Sequence, residues 1–121
     1  MSLYPVNDIL VSVCVVTYNH GKYIGTCLDH ILRQRRKFRI EILIHDDAST
    51  DGAQEVIRAY QKRYPDIIKP ILRVENQYSQ GITNISGAFN FPRAVGKYIA
   101  LTDGDDYWCD DYKLQRQVEY M

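Results

Sequence analysis

Residues 11–17 read VSVCVVT, a nearly continuous run of apolar and β-branched side chains. A strand needs such a run when helices cover both faces of a parallel sheet, because its side chains are then buried in both directions. Residues 40–45 (IEILIH) and 97–102 (KYIALT) repeat the pattern. The sequence therefore predicts a mostly parallel sheet that contains these three strands.

Helical patterns alternate with the predicted strands. Apolar residues recur on one face over residues 22–34 and again over residues 53–60, where Ser49 is the expected N-cap. A further strand over residues 67–74 contains Pro70, which cannot donate a ladder hydrogen bond and so favours the edge of the sheet. The alternation predicts an α/β fold with about four strands flanked by helices.

The pattern is weaker towards the C-terminus. Residues 85–91 have a short helical spacing that Pro92 is expected to end, and Leu114 with Val118 predict a last helix that runs to Met121. We expect residues 1–121 to form one domain.

Composition narrows the function classes. Hydrophobic residues make up 45% of the 121 residues and charged residues 25%, as in ordinary globular proteins. Fifteen basic and fifteen acidic residues cancel, which argues against a nucleic-acid partner because phosphate binding needs a basic excess. Three widely spaced cysteines and the lack of a signal peptide or an 18-residue apolar run predict a cytoplasmic protein with reduced thiols.

Polar side chains follow three of the predicted strands. Tyr18-Asn19-His20 follows the first, Asp46-Asp47 the second, and the segment 103–106 (DGDD) the one over 97–102. The carboxyl ends of parallel strands share one edge, which is where α/β sheets bind ligands. Five carboxylates at one edge favour a hard divalent cation, Mg²⁺ or Mn²⁺, with a diphosphate as its natural partner. An ordinary acidic turn over 103–106 is the alternative.

Other ligand motifs fail on single residues. An EF-hand loop that begins at Asp103 would need glycine where Trp108 stands, and a phosphate-binding loop that ends at Lys97 would need Ser or Thr where Tyr98 stands. No GxGxxG follows the first strand, which argues against a nicotinamide or flavin dinucleotide.

Three segments in this order carry a family resemblance: VSVCVVTYN (11–19), IHDDASTD (44–51) and GKYIALTDGDDYW (96–108). Together they resemble the donor-binding half of the family 2 glycosyltransferases. The resemblance implies the GT-A fold, a Rossmann-like α/β fold that binds a nucleotide-diphosphate sugar. It also implies sugar transfer, with inversion, to an acceptor hydroxyl.

The resemblance assigns a nucleotide site. The turn Thr17-Tyr18-Asn19 matches the family segment that packs on the nucleobase, with Tyr18 as the ring that stacks on it. Asp47 matches the carboxylate that accepts a hydrogen bond from the base, uracil N3–H in the expected UDP-sugar. Asp51 is expected to cap the second helix instead of binding ligand.

The resemblance also assigns a metal site. Asp103-Gly104-Asp105 matches the family's DxD element, in which Asp103 lies near the ribose and Asp105 binds Mn²⁺ or Mg²⁺ on the diphosphate. Asp106 is the second candidate ligand. His45, where many relatives have Val or Ile, is expected to be a packed histidine at a strand end.

Partners and location follow from the same resemblance. It implies a saccharide or lipid-linked saccharide acceptor in the synthesis of bacterial surface polysaccharide, with the full-length protein able to contact the inner face of the cell membrane. The catalytic base of such enzymes lies in an acceptor-binding half beyond the DxD strand. We therefore expect this chain to be truncated, and inactive in isolation.

Two alternatives share this type of sheet. A nucleotidyltransferase or pyrophosphorylase would show a glycine-rich basic loop after the first strand, where Tyr18-Asn19-His20-Gly21 is a poor substitute. A Mg²⁺-binding receiver-like signalling module would carry its acidic pair after the first strand and not after the second.

Overall fold

The computed structural model describes residues 9–82 and 84–119, which form a four-stranded sheet with parallel neighbours throughout. The strands are β1 (Ile9–Thr17), β2 (Arg39–Asp46), β3 (Ile68–Leu72) and β4 (Tyr98–Asp103). Their order in the sheet is β3-β2-β1-β4. The predicted parallel α/β architecture is confirmed, and Pro70 lies in an edge strand as expected.

Three α-helices accompany the sheet in the described ranges: α1 (Ile24–Leu32), α2 (Ala53–Arg63) and α3 (Lys113–Glu119). Each buries the apolar face that its spacing predicts, with Leu28 of α1, Ile57 of α2 and Leu114 of α3 at most 1% exposed. These side chains join those of the two central strands in one core. Short helical turns cover Tyr78–Gln80, Ser86–Asn90 and Phe91–Arg93.

The beginning of α2 differs from the prediction. Ser49 is not its N-cap, because the backbone N–H and the hydroxyl of Ser49 both donate to the carboxylate of Asp46. Gly52 precedes the helix with a φ of 92°, a left-handed conformation that glycine adopts without strain. Asp51 Oδ1 accepts from the backbone N–H of Ala53 at 3.2 Å, in line with its predicted capping role.

The two C-terminal helical predictions also need adjustment. Pro92 does not end the helical segment directly but lies within the short turn Phe91–Arg93, which follows the turn Ser86–Asn90 without a gap. The last helix is seen to Glu119, and Tyr120 and Met121 lie outside the described residues. Within residues 9–82 and 84–119, the structure has no helix long and apolar enough to cross a membrane.

The strand order creates a crevice at the carboxyl edge. The chain runs from β1 to β2 and β3 on one side, and β4 then pairs with β1 on the other side. The direction in which successive strands are added to the sheet therefore reverses between β1 and β4, and α/β sheets bind ligands at such a point. Val16 of β1 pairs with Asp103 of β4, which sets the end of β1 beside the acidic segment 103–106.

Candidate functional site

Two adjoining cavities occupy the carboxyl edge of the sheet. The aromatic cavity, of about 440 Å³, is lined by Val16, Tyr18, Asp47, Asn76, Tyr78, Ser79 and Ile85. The acidic cavity, of about 520 Å³, is lined by Cys14, Val16, Tyr78, Asn84, Ile85, Ser86, Leu101, Thr102, Asp103 and Asp106. Because Val16, Tyr78 and Ile85 line both, the cavities form one crevice that crosses the ends of β1 and β4.

Asp47 is the buried carboxylate of the aromatic cavity. The backbone N–H of Gln77 donates to its Oδ1 at 2.8 Å, that of Tyr78 donates to its Oδ2 at 3.0 Å, and His45 Nε2 lies 3.1 Å from Oδ1. A carboxylate has about four lone-pair positions, so these three donors leave one, on Oδ2. Asp47 can therefore accept one further hydrogen bond from a ligand.

The charge states of this pair follow from its surroundings. Burial lowers the pKa of the His45 imidazole below its usual value of about 6.5, although the Asp47 carboxylate acts in the opposite direction. Burial by itself would raise the pKa of Asp47, but the N–H donors of Gln77 and Tyr78, with His45, lower it overall. Near neutral pH the pair is a neutral imidazole that donates to a carboxylate. His45 is fully buried, stacked on Phe89, as its predicted packing role requires.

The lowered pKa of His45 makes the fold sensitive to mild acid. Below about pH 6.5 the unfolded chain protonates this histidine before the folded chain does, so the free energy of unfolding decreases as the pH falls. We expect His45→Gln, which keeps an N–H donor but cannot titrate, to flatten this decrease between about pH 5 and 7. Urea unfolding at several pH values measures the slope. An equal slope in both proteins would show that His45 does not cause the sensitivity.

Asp46 is separated from the ligand crevice by its own hydrogen bonds. Its carboxylate accepts from Ser49, as described above, and from Gln54 Nε2 at 2.8 Å. The prediction that five carboxylates share one cationic environment is therefore wrong in part. Asp46 and Asp47 both accept hydrogen bonds from protein donors, with one position on Asp47 Oδ2 left open, and the three carboxylates of segment 103–106 lie together.

The acidic cluster consists of Asp103, Asp105 and Asp106. Each offers an oxygen within 4.8 Å of the others, and all three residues are exposed. Burial and the charges of Asp106 and Asp105 raise the pKa of the Asp103 carboxyl, with His20 partly offsetting them. A cation would relieve this repulsion, and an all-oxygen donor set suits Mn²⁺ or Mg²⁺. The residues present therefore fit a hard divalent ion.

Gly104 holds this turn against the end of β1. Its N–H donates to the carbonyl of Val16 at 2.9 Å, and a Cβ at this position would clash with Thr17 Oγ1 and lie 2.6 Å from Thr17 Cβ. Thr17 Oγ1 is 2.9 Å from His20 Nδ1, and His20 Nε2 is 3.8 Å from Asp105 Oδ2. The glycine is thus required by a close approach that brings the acidic cluster onto β1.

The residues assigned to the nucleobase turn lie in different environments. Tyr18 lines the aromatic cavity and is 47% exposed. Thr17 is fully buried, and Asn19 Oδ1 accepts from the backbone N–H of Thr50 at 2.8 Å. Of this turn, only Tyr18 is among the described residues that line either cavity. The side chains of Thr17 and Asn19 hold the loop that presents Tyr18.

Sequence reasoning missed the contribution of the segment after β3. Asn76, Tyr78 and Ile85 line the crevice. Residues 75–84 have no clear periodicity, and the short helical spacing of residues 85–91 does not by itself indicate a ligand contact. A usable signal existed, because residues that directly follow β3 must lie at the same carboxyl edge as Asp47. An aromatic residue in such a loop is a candidate ligand contact.

Comparison with protein families and curated proteins gives consistent matches. The model of the family described as "Glycosyl transferase family 2" matches residues 12–121. An uncharacterised protein of Mycobacterium bovis is 42% identical over 92% of this chain and 31% of its own length. The putative teichuronic acid biosynthesis glycosyltransferase TuaG of Bacillus subtilis is 35% identical over 93% of this chain and 42% of its own length. The Escherichia coli UDP-Glc:alpha-D-GlcNAc-diphosphoundecaprenol beta-1,3-glucosyltransferase WfaP is 34% identical over 93% of this chain and 41% of its own length.

Solved structures match over nearly the whole chain. Mannosyltransferase PcManGT from Pyrobaculum calidifontis, in complex with GDP-Man and Mn²⁺, has a TM-score of 0.77 and 26% identity over 98% of this chain and 36% of its own. S. aureus TarS 1-349 in complex with UDP has a TM-score of 0.77 and 26% identity over 93% of this chain and 32% of its own. This chain thus spans less than half the length of each of these proteins.

Proposed function

Because the chain belongs to glycosyltransferase family 2, we propose that it is the donor-binding part of an enzyme that transfers a sugar from a UDP-sugar to an acceptor hydroxyl, with inversion. Its structural neighbours are GT-A glycosyltransferases, and the predicted GT-A fold is confirmed. The family also sets aside the nucleotidyltransferase and receiver alternatives. Our proposal concerns the donor, the metal, the stereochemistry and the acceptor.

One observation carries the proposal: the aromatic cavity and two members of the acidic cluster, Asp103 and Asp106, line the same crevice at the strand switch point, and Asp105 lies beside them in the cluster. A nucleoside diphosphate has an aromatic base at one end and two phosphates at the other. Tyr18 and Asp47 lie at one end of the crevice, and Asp103 and Asp106 at the other. The aromatic end of the crevice therefore suits the base, and the carboxylate end suits the diphosphate when a divalent cation lies between them.

The proposed nucleobase contacts use Tyr18 and Asp47. Tyr18 stacks on the base, and burial of the half-exposed Tyr18 ring stabilises the complex. The free lone pair of Asp47 Oδ2 accepts the N3–H of uracil. The names of two similar proteins support uridine, since TarS was solved with UDP and WfaP is named as a UDP-Glc transferase.

The proposed metal ligands are Asp105 and Asp106, with Asp103 near the ribose. PcManGT, which was solved with Mn²⁺, supports a metal in this chain as well. A bound Mn²⁺ or Mg²⁺ would supply Lewis-acid stabilisation of the diphosphate leaving group, an effect worth several kcal/mol in the transition state. The carboxylates themselves orient the donor by fixing where its diphosphate can lie.

The proposed acceptor is a saccharide or lipid-linked saccharide used for bacterial surface polysaccharide, in a cytoplasmic protein that contacts the inner face of the membrane. The names of TuaG, a teichuronic acid biosynthesis enzyme, and of WfaP, a transferase to a diphosphoundecaprenol-linked sugar, support this class of acceptor. Inversion requires a base that removes the acceptor hydroxyl proton as the oxygen attacks the anomeric carbon from the face opposite the diphosphate. In the described crevice every carboxylate has a donor-side role, so we assign the base to residues beyond this chain.

We accordingly expect no enzymatic turnover by the 121-residue chain alone. The experiment incubates it with UDP-sugars, Mn²⁺ and simple saccharide acceptors, and follows UDP release. Donor binding without turnover is the expected result, because our proposal assigns the group that deprotonates the acceptor to residues outside this chain. A rate of about 1 per second or faster would place the base within these residues instead.

Calorimetric titration tests the proposed donor. UDP, GDP and CDP are each titrated into the chain with Mn²⁺ present. We expect UDP to bind most tightly of the three. Tighter binding of GDP would overturn the assignment to uridine while leaving a nucleotide site, and binding of none of them would overturn the donor-binding proposal itself.

A further inference from the structure

Tyr78 occupies the junction of the two cavities. It lines both of them, and it is 62% exposed. Among the described residues that line the aromatic cavity, Tyr18 and Tyr78 are the two aromatic ones. We propose that Tyr78 is a second aromatic wall of the donor site, so that the nucleobase stacks between the rings of Tyr18 and Tyr78. This inference rests on the proposed nucleotide site and extends it.

The backbone around Tyr78 is attached to the residue that would bind the base. The N–H groups of Gln77 and Tyr78 donate to the Asp47 carboxylate, and Asn76 Nδ2 donates to the Asp47 carbonyl at 2.9 Å. The turn Tyr78–Gln80 ends at Gly81, whose φ of 94° lets the chain reverse without strain. Asp47 therefore fixes Tyr78 relative to the hydrogen-bond acceptor for the base.

The proposed stacking explains why the large ring of Tyr78 is exposed to solvent. The backbone of residue 78, not its ring, makes the hydrogen bond to Asp47, so the fold does not need an aromatic side chain here. Three other exposed tyrosines, Tyr23, Tyr107 and Tyr112, are absent from the linings of both cavities. A base that enters the aromatic cavity would bury both tyrosine rings at once, while Asp47 Oδ2 accepts from its edge.

The test compares two probes on three variants. UDP with Mn²⁺ reports on the whole ligand, and inorganic pyrophosphate with Mn²⁺ reports on the phosphate end without a base. We expect Tyr78→Ala to weaken UDP binding by about 5- to 150-fold, the usual range for loss of one base–aromatic stack, and to leave pyrophosphate binding unchanged. Tyr78→Phe keeps the ring and should bind UDP as the wild type does. Tyr112→Ala removes an exposed ring outside the crevice and should change neither affinity.

Each outcome decides between stacking and its rivals. Unchanged UDP affinity in Tyr78→Ala overturns the inference. An equal loss in Tyr78→Phe shows that the hydroxyl makes the contact, and an equal loss of pyrophosphate affinity shows that the residue acts at the phosphates or on the fold; both overturn stacking. If the wild type binds UDP no better than pyrophosphate, the proposed nucleotide site fails and this inference fails with it. Retained pyrophosphate binding in Tyr78→Ala shows that the variant is folded.

Discussion

Asp105→Asn is expected to remove most of the effect of Mn²⁺ on UDP binding. The amide keeps the shape of the carboxylate but lacks its negative charge, so the cluster binds Mn²⁺ more weakly. Less Mn²⁺ then lies between the diphosphate and the remaining carboxylates, which repel each other. In the wild type, metal and UDP should each tighten the binding of the other by the same factor, equivalent to about 1–3 kcal/mol. Calorimetric titrations of UDP with Mn²⁺ and with excess chelator measure this coupling.

Two further variants make the Asp105 result specific. Asp106→Asn should reduce the coupling less than Asp105→Asn does, because Asp106 is the secondary ligand in our proposal. Asp66→Asn removes an exposed carboxylate between α2 and β3, far along the chain from the acidic cluster, and should leave the coupling intact. If UDP bound equally well in chelator, or if Asp105→Asn kept the metal dependence, residues 103–106 would be an ordinary acidic turn.

Asp47→Ala is expected to weaken both the fold and the choice of base. Its carboxylate is the partner of two partly buried backbone N–H groups, and a hydrogen bond to a charged group contributes about 1.5–3 kcal/mol to the free energy of unfolding. The wild type should prefer UDP to CDP by more than about 1 kcal/mol, since cytosine has no N3–H for Asp47 to accept. The variant should lose this preference along with most of its UDP affinity.

Titration and unfolding experiments separate these two effects. Urea denaturation gives the loss of stability, and UDP and CDP titrations below the unfolding transition give the loss of discrimination. His45→Gln is a matched control, because it alters a neighbour of the same carboxylate but keeps the Gln77 and Tyr78 bonds. Equal affinity of the wild type for UDP and CDP would refute the role of Asp47 in reading the base.

The parts of the fold that sequence predicts best are those with a repeated physical pattern. Short apolar runs rich in β-branched residues predicted β1 and β2, since such runs are typical of strands that helices cover on both faces. Once the sheet is parallel, its carboxyl edge follows, and with it the approach of Asp47 to the segment 103–106. The apolar runs and the parallel topology thus locate the candidate site at this edge of the sheet without knowledge of any side-chain position.

Individual hydrogen-bond partners are harder to predict. Asp46 and Asp47 are adjacent and chemically identical, yet one closes the turn to Ser49 and the other holds the segment after β3. Ser49 has the right type and position for an N-cap, but the Asp46 carboxylate competes for it. Which donor each carboxylate binds depends on distances of a few tenths of an ångström. The spacing of residue types along the sequence carries no information on such distances.

The role of the segment after β3 is hidden for a related reason. It contains short turns of different types, Tyr78–Gln80 and Ser86–Asn90, whose conformations depend on tertiary contacts more than on local propensity. The bonds from Gln77 and Tyr78 to the Asp47 carboxylate, together with that from Asn76 to the Asp47 carbonyl, bring Tyr78 to the crevice. The family resemblance therefore assigns one aromatic residue, Tyr18, to the proposed donor site, and the structure brings Tyr78 to the same cavity.

The central claim is that one crevice binds both the metal and the nucleoside diphosphate, and a crystal structure with UDP and Mn²⁺ tests it most directly. Anomalous scattering locates manganese independently of the protein coordinates. The account predicts a manganese peak coordinated by Asp105, the diphosphate on the same ion, and uracil in the aromatic cavity with its N3–H directed at Asp47. Manganese at other carboxylates, or a nucleotide bound outside the crevice, would contradict the account.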